Sequence, residues 1–194
     1  MIIRSVKDII LWQESKIIRF LLMLHNVKLG ANIKIKGCLF IKNNGTFIIG
    51  NNVRINSRIS ANPIGGDRKC YFVTGKGANL TLGNGVAISN STINCYNSIT
   101  IEENVMIGGS CKIYDTDFHS LNSVERTNDD RTTINTKPIL IKSNAFIGGH
   151  CIILKGVTIG CNSIIGAGSV VTKDIPDNEI WAGNPAQFIK KIKN

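Results

Sequence analysis

Aliphatic residues recur at every sixth position in the C-terminal part of the chain. The unbroken series consists of Ile141, Ile147, Ile153, Ile159, Ile165 and Val171. Four positions after each member stands a mostly small residue, in the order Ala145, Cys151, Val157, Ser163, Ser169 and Ile175. A helix repeats its apolar positions at three and four residues, and a half-buried strand repeats them at two. A period of six therefore predicts short strands separated by tight turns, wound into a coil with the aliphatic side chains inside.

The same period appears earlier in the chain, with interruptions. It is kept by Leu29, Ile35 and Ile41, by Ile49 and Ile55, by Leu82 and Ile88, and by Ile101, Ile107 and Ile113. The step of 28 residues from Ile113 to Ile141 is not a multiple of six, and residues 115–137 contain almost no aliphatic side chain. A second irregular stretch, at about 62–79, is rich in glycine and charge. We therefore predict an all-β solenoid over residues 29–184 with two excursions, at about 62–79 and 115–137.

Residues 1–28 follow a different pattern, with apolar residues at approximately helical spacing and basic residues between them. This pattern predicts an N-terminal helical cap. A helix here would cover the open end of the solenoid, or it would lie on an anionic membrane surface and make a peripheral contact. The apolar run 17–24 is interrupted by Arg19 and is shorter than the roughly 20 residues of a membrane span.

Charge and cysteine content narrow the classes of partner. The 194 residues include 23 Lys and Arg against 13 Asp and Glu, a net charge of +10, which favours an anionic partner or substrate. We expect no nucleic-acid partner, because no stacking-aromatic stripe or known reading motif accompanies the basic residues. The six cysteines form no CxxC pair, which predicts a reduced, cytoplasmic protein without a structural disulfide or a metal site.

Only three histidines are available for acid–base chemistry, and His119 has the most suggestive surroundings. It stands in IYDTDFHS, where the coil gives way to the long excursion, just after Asp115 and Asp117. A histidine beside a carboxylate is a suitable general base near neutral pH, although the same pair is also found in purely structural roles. His25 falls in the helical pattern and His150 on a turn of the coil, so neither is expected to be catalytic.

The C-terminal sequence resembles the hexapeptide-repeat acyltransferases. The residues that carry the resemblance are the repeats and the ending NAFIGGHCIILKGVTIGCNSIIGAGSVVTKDIPDNEIWAGNPAQFIKKI. The sequence is most similar to the maltose and galactoside O-acetyltransferase branch and to related polysaccharide O-acetyltransferases, strongly over 80–192 and loosely over 29–60. The resemblance implies a left-handed parallel β-helix of triangular section. It also implies a homotrimer with active sites between subunits. We further predict a helical tail over 185–194.

The resemblance also implies roles for individual residues. His119 matches the catalytic base, Asn90 matches an asparagine that binds the acceptor or the base, and Asp117 or Glu125 would orient His119. The acyl donor would be acetyl-CoA, held by residues matching Gly149, Ala167, Gly168, Lys173 and Trp181. The small residues would line the pantetheine arm and Lys173 would meet a phosphate, while Trp181 would cover the adenine or pack the last coil. No metal is required.

We therefore expect an acetyl-CoA-dependent O-acetyltransferase that acts on a sugar or glycan precursor, with surface polysaccharide as one acceptor to consider. An antibiotic or xenobiotic acetyltransferase would share the coil and the donor. A non-catalytic solenoid scaffold would need neither the long excursion nor the histidine at its start. The identity of the acceptor, the length of the acyl chain and the choice between O- and N-acetylation stay open.

Overall fold

The computed structural model describes residues 16–64 and 66–193, which form a three-sided coil of short strands. The first face contains β1 Val27–Leu29, β4 Thr46–Ile49, β7 Asn79–Leu82, β10 Ser98–Ile101, β13 Ile139–Ile141 and β16 Thr158–Ile159. The second face contains β2 Lys34–Lys36, β5 Arg54–Asn56, β8 Ala87–Ser89, β11 Met106–Gly109, β14 Phe146–Ile147, β17 Ile164–Ile165, β19 Glu179–Gly183 and β20 Ala186–Lys191. The third face contains β3 Phe40–Asn43, β6 Tyr71–Thr74, β9 Thr92–Cys95, β12 Lys112–Tyr114, β15 Ile152–Ile153 and β18 Val170–Val171.

The six-residue period is the inner surface of this coil. All members of the series from Ile141 to Val171 are fully buried, and the small residues four positions later are buried at the turns. Strands of successive coils pair in parallel, so that Ile147 lies beside Ile165 and Ile153 lies beside Val171. Stacking identical apolar positions from coil to coil removes them from water together. The predicted solenoid is confirmed.

Three corners connect the faces, and many of their turns contain a residue with left-handed backbone. The first corner, between the first and second faces, is formed mainly by asparagines with φ of 56–61°, namely Asn32, Asn52, Asn104, Asn144, Asn162 and Asn178. Asparagine is one of the few residues besides glycine that tolerates this conformation. Its amides also stack, with Asn162 donating to Asn178 at 2.8 Å and Asn144 donating to Asn162 at 3.3 Å. We call this column the asparagine ladder.

Both excursions leave the coil at the other two corners. The first occupies residues 57–70, at the second corner between the second and third faces, and contains the 3₁₀ turn Ile59–Ala61. Its bounds differ from the predicted 62–79, because Tyr71–Thr74 is a strand with Phe72 buried and Asn79 already begins β7. The second excursion occupies residues 115–138, at the third corner between the third and first faces, close to the predicted 115–137. It contains the short helix α2, Ser123–Thr127.

The described part of the N-terminal segment is a helix, α1, over residues 16–24. Ile18 and Leu22 are buried against the first coil, so this helix covers the open end of the core. Ile17, Phe20 and Leu24 point into solvent. The predicted membrane contact is not tested by these residues, and the remainder of the predicted cap, residues 1–15, lies outside the described residues. None of the helices in residues 16–64 and 66–193 combines the length and the apolar content that a bilayer crossing needs.

The C-terminus corrects one expectation, since the predicted helical tail over 185–194 is replaced by strand β20. This strand runs antiparallel to β19 and pairs Trp181 with Phe188, whose rings meet edge to face at 6.2 Å. The last strand of a solenoid face has an unpaired edge, and a hairpin satisfies its backbone groups where a helix would not. Ala186 is buried and the following side chains are exposed.

Candidate active site

The predicted site residues fall on two different corners of the coil. Asn90, Gly149, Ala167 and Gly168 lie at the second corner, whereas Asp117 and His119 lie at the third corner. The third face separates these corners, and an extended chain from Asn90 to Tyr96 covers about 15–20 Å. A single chain therefore brings Asp117 near His119 but does not bring Asn90 to either of them.

Asn90 lies under the first excursion. Its side chain is completely buried, and its amide nitrogen donates to the carbonyl oxygens of Asn62 at 3.4 Å and Arg58 at 3.5 Å. Its Oδ1 is buried with no donor in reach among the described residues. A buried acceptor without a partner is uncommon and needs an explanation. Asn90 thus anchors the excursion in the observed structure and keeps one acceptor unused.

A groove of about 590 Å³ runs along the outside of the second face beside this corner. Asn62 and Ile64 of the first excursion wall it on one side, and Gly109 and Gly149 lie at one end of its floor. A Cβ at Gly109 would overlap Ile64, and one at Gly149 would lie 3.0 Å from its Cδ1. These two glycines therefore allow the excursion to pack closely onto the coil. The volume is within the range of small-molecule sites.

His119 is exposed at a second cavity of about 450 Å³ at the third corner. Tyr96, Thr116, Phe118, Arg131, Ile134 and Thr136 complete its lining. No hydrogen bond holds the His119 imidazole within the described residues, so both ring nitrogens are open to a ligand. Phe118, directly before it, has φ of 62°, an unusual value for an aromatic residue. Its ring packs edge-on against Tyr114 at 5.2 Å.

The base of the long excursion is rigidly attached to the coil. Thr116 and Thr136 form an antiparallel bridge, and the buried carboxylate of Asp115 accepts the backbone N–H groups of Tyr96 and Asn97 at 2.7 Å each. The excursion thus starts from a fixed geometry, and His119 lies only three residues beyond this bridge.

Asp117 points toward the next coil. Its Oδ1 pairs with Lys155 at 2.7 Å, while its Oδ2 is buried without a hydrogen-bond donor among the described residues. Glu125, the other carboxylate predicted to orient His119, accepts the Ser120 hydroxyl at 2.5 Å within the excursion. Hydrogen bonds from Ser120 and Thr133 lower the pKa of Glu125. Of the two carboxylates, Asp117 is the one with an oxygen left for an imidazole N–H.

The residues predicted to hold the donor lie toward the C-terminal end of the coil. Gly168 follows Gly149 on the second corner, with its N–H donating to the Gly149 carbonyl at 2.9 Å. Trp181 packs the last coil with only 9% of its surface exposed, and its indole N–H donates to Glu179 at 2.8 Å. The Lys173 ammonium lies over the Trp181 ring at 5.1 Å. Trp181 thus packs the last coil, as one of the two predicted alternatives stated. A contact between Trp181 and the adenine stays a prediction.

All six cysteines are free thiols. Burial raises the pKa of Cys70 to about 11 and the pKa of Cys95 to about 12. A thiol is nucleophilic only as the thiolate, so neither of these two residues is suited to covalent catalysis near neutral pH.

Sequence reasoning missed several residues that shape the two cavities. Nothing in the local sequence distinguishes Lys155 from other lysines of the repeat, although the structure pairs it with Asp117. Ile64 lies in an irregular segment whose local sequence does not indicate that it packs onto the coil. Arg131 is separated from His119 by α2, and it enters the same cavity because the excursion folds back on itself. For the two basic residues, the only signal in the sequence was their charge, at Lys155 in the regular repeat and at Arg131 in the long excursion.

Comparison with known proteins shows what the chain is similar to. Residues 138–173 match the model of the hexapeptide repeat of succinyl-transferase. The chain is 41% identical over 119 residues to the galactoside O-acetyltransferase of Escherichia coli (strain K12), a match that covers 61% of this chain. The chain spans 57% of the length of that relative. The predicted resemblance is confirmed.

Solved structures share the coil over nearly the whole chain. One is a maltose O-acetyltransferase from Clostridium difficile 630, with 25% identity, a TM-score of 0.56 and coverage of 100% of this chain and 80% of that one. Another is a point mutant of AntD, an N-acyltransferase from Bacillus cereus, in complex with dTDP-4-amino-4,6-dideoxyglucose and coenzyme A. It is 26% identical with a TM-score of 0.69, and the match covers 91% of this chain and 89% of that one. The fold class, a left-handed parallel β-helix, is thereby confirmed.

Proposed function

Because the chain has the repeats and the β-helix of the hexapeptide-repeat acyltransferases, we propose that it transfers an acetyl group from acetyl-CoA to a hydroxyl of a sugar or glycan precursor. The observation that carries this proposal is the exposed His119 at the mouth of a cavity, on an excursion fixed to the coil. Named relatives of similar sequence are acetyltransferases, and a coil of the same fold holds coenzyme A. Cytoplasmic location stays a prediction.

The chain's own residues fit a CoA molecule. Ala167 and Gly168 are exposed and small, and apart from Gly168 and its two chain neighbours no described atom lies within 4 Å of the position that a Gly168 Cβ would take. An extended pantetheine arm needs such an unobstructed track, and the exposed Lys173 supplies a cation for a phosphate. When bound, acetyl-CoA supplies a thioester whose thiol leaves without help from a strong acid, since thiols of this kind have a pKa near 8.5.

His119 would accept the proton of the acceptor hydroxyl as the hydroxyl oxygen attacks the thioester carbonyl carbon of acetyl-CoA. Asp117 would fix the imidazole through its unused Oδ2, with the Lys155 pair holding the carboxylate in place. Backbone N–H groups near Gly149 would stabilise the developing oxyanion. General bases of this kind contribute about 10²–10⁴ in rate.

The separation of Asn90 from His119 supports the predicted homotrimer. In a cyclic trimer the third corner of one protomer can face the second corner of its neighbour, because such contacts join two different surfaces. His119 of one protomer would then meet the groove beside Asn90 of the next. Asn90 would help to bind the acceptor by holding in place the first excursion, which walls the groove.

The central experiment compares His119→Ala with the wild type and with His150→Asn. Thiol release from acetyl-CoA is measured with a panel of glycosides and oligosaccharides. We expect His119→Ala to lose about 10²–10⁴ in turnover. Asparagine preserves the left-handed backbone of residue 150 (φ 61°), so His150→Asn should stay close to wild type.

Full activity in His119→Ala would contradict the proposal. If Asp117 positions the base, Asp117→Asn should lower kcat more than it raises KM and should move the pH–rate profile. A merely structural Asp117 would change stability and leave the profile in place. Release of thiol by neither the wild type nor any variant, with every acceptor of the panel, would favour the scaffold.

A further inference from the structure

Three basic side chains lie together at the end of the second-face groove that is remote from Gly149. Lys34 and Lys36 project from β2 and Arg54 projects from β5, and all three are exposed and line the groove. Lys34 is directly paired with Arg54 in the parallel register, so the two side chains stand about 4.8 Å apart at their bases. Like charges in directly opposed positions destabilise a sheet.

Nothing in the described chain neutralises this cluster. The groove lining contains no aspartate or glutamate, and the ion pairs of the described residues involve other cations, namely Lys112, Arg131, Lys142 and Lys155. The middle of the groove, around Ala87, Ser89 and Met106, is uncharged. The groove thus has an uncharged centre and a cationic end.

The length of the groove sets how far the basic cluster lies from Gly149, where the proposed reaction takes place. Arg54 on β5 and Phe146 on β14 are separated by three strand spacings of the second face, or about 14 Å, and the lysines of β2 lie one spacing further. This distance exceeds the width of one sugar ring. A neutral monosaccharide near Gly149 would leave the cations without a partner, whereas a sugar with an anionic substituent would reach them.

We propose that the acceptor is a sugar joined to a phosphate or a diphosphate, bound with the phosphate at Lys34, Lys36 and Arg54 and with the sugar toward Gly149. The orientation rests on the proposed function, since that function puts acetyl transfer at the Gly149 end. Lysine ammonium groups bind phosphate as point charges, and the arginine fork can bind two of its oxygens at once. The groove then selects phosphorylated sugars over neutral glycosides.

Calorimetric titration of the full chain tests the proposal without requiring turnover. The protein is saturated with CoA, so that the phosphate sites of the donor are filled, and is titrated with inorganic pyrophosphate. We expect binding that weakens with salt and falls at least about tenfold in the double variant Lys34→Gln with Arg54→Gln. The matched control is Lys28→Gln, which removes an exposed lysine from β1 on the first face of the same coil and should bind pyrophosphate like the wild type.

A second titration compares methyl glucoside, glucuronate, glucose 1-phosphate and UDP-glucose. Tighter binding of either phosphorylated sugar than of methyl glucoside and glucuronate supports the proposal, and the better of the two identifies a monophosphate or a nucleotide-linked acceptor. Equal affinity for methyl glucoside and the phosphorylated sugars overturns it, as does equal affinity for glucuronate. Pyrophosphate binding that is unchanged in the double variant also overturns it. Since these are binding measurements, an active His119→Ala enzyme would refute the proposed mechanism and leave this result standing.

Discussion

The first corner of the coil differs from the other two corners in how the chain turns from one face to the next. Left-handed residues occur at all three corners, yet no excursion leaves the coil at the first corner of the described chain. There the asparagine ladder joins its own members through side-chain amides, as between Asn162 and Asn178 at 2.8 Å. At the second and third corners the excursions start, and buried polar atoms stay unpaired at Asn90 Oδ1 and Asp117 Oδ2.

This difference sets the first corner, which carries no proposed site residue, apart from the other two, to which the proposed function assigns the site. Buried polar groups are normally hydrogen-bonded, so each exception needs an explanation. In the ladder, side-chain amides of successive coils bond to one another from Asn32 to Asn52 and from Asn144 through Asn162 to Asn178, which makes this corner a stabilising column. The unpaired oxygens at the other corners lie under the first excursion, at Asn90, and at the base of the second, at Asp117.

The largest expected effect tests whether the second and third corners combine across protomers. We expect Asn90→Gly, which preserves the left-handed backbone, and His119→Ala each to be strongly impaired alone. Co-expression of the two variants in equal amounts should restore about one quarter of the sites, because a heterologous interface then pairs an intact His119 with an intact Asn90 at that frequency. Acetyl transfer by the co-purified mixture measures this.

The control for that experiment is the double variant that carries both Asn90→Gly and His119→Ala in one chain. Expressed alone, it should be inactive, because no protomer then supplies either intact residue. A co-expressed mixture that is as inactive as its two components would show that both residues must lie in the same chain.

A smaller effect is expected from breaking the ladder. Asn162→Val places a β-branched residue at φ of 59° and removes amide bonds to Asn144 and Asn178. We expect a loss of about 2–3 kcal/mol in the free energy of unfolding, measured by urea denaturation. Asn162→Gly keeps the backbone conformation and loses only the amide, so it should cost about 1 kcal/mol or less.

Activity per folded molecule should be unchanged in both ladder variants, since this corner carries no proposed site. A variant that folds normally but has lost acetyl transfer would contradict the structural assignment of the first corner.

The smallest effect concerns pH. Hydrogen bonds lower the pKa of Glu125 and of Asp130 in the long excursion. A carboxyl group with a lowered folded pKa stabilises the fold above its ordinary pKa, about 4.5 for Glu, and this contribution is lost as the pH falls through the folded value. We therefore expect the 115–138 excursion to loosen below about pH 4, while the neutral amides of the ladder keep their protection.

Amide hydrogen exchange, corrected for intrinsic rates, measures this between pH 6 and pH 3. Glu125→Gln should reduce the acid-dependent part in the excursion. Equal loosening of the excursion and the ladder would show that the carboxylates are not responsible.

Much of the architecture was readable from local pattern. The six-residue spacing from Ile141 to Val171 identified the inner face of the coil, and the shortage of aliphatics in 115–137 marked the long excursion. The first excursion was misplaced because glycine and charge near residue 75 resemble a loop, although Phe72 is buried in β6. The C-terminal strand was missed because its pairing depends on the open edge that β19, two residues earlier, presents at the end of the second face.

The sequence by itself determined the repeating core and the chemistry available to it, because burying one aliphatic residue per six is a property of local spacing. Tertiary structure alone decided which corner each polar residue occupies, since that depends on how many strands of the coil lie between one polar residue and the next along the chain. It put Lys155 against Asp117, aligned Lys34 with Arg54, and placed Asn90 and His119 on opposite sides of the third face. These relations connect residues from different coils, and no local pattern in the chain encodes them.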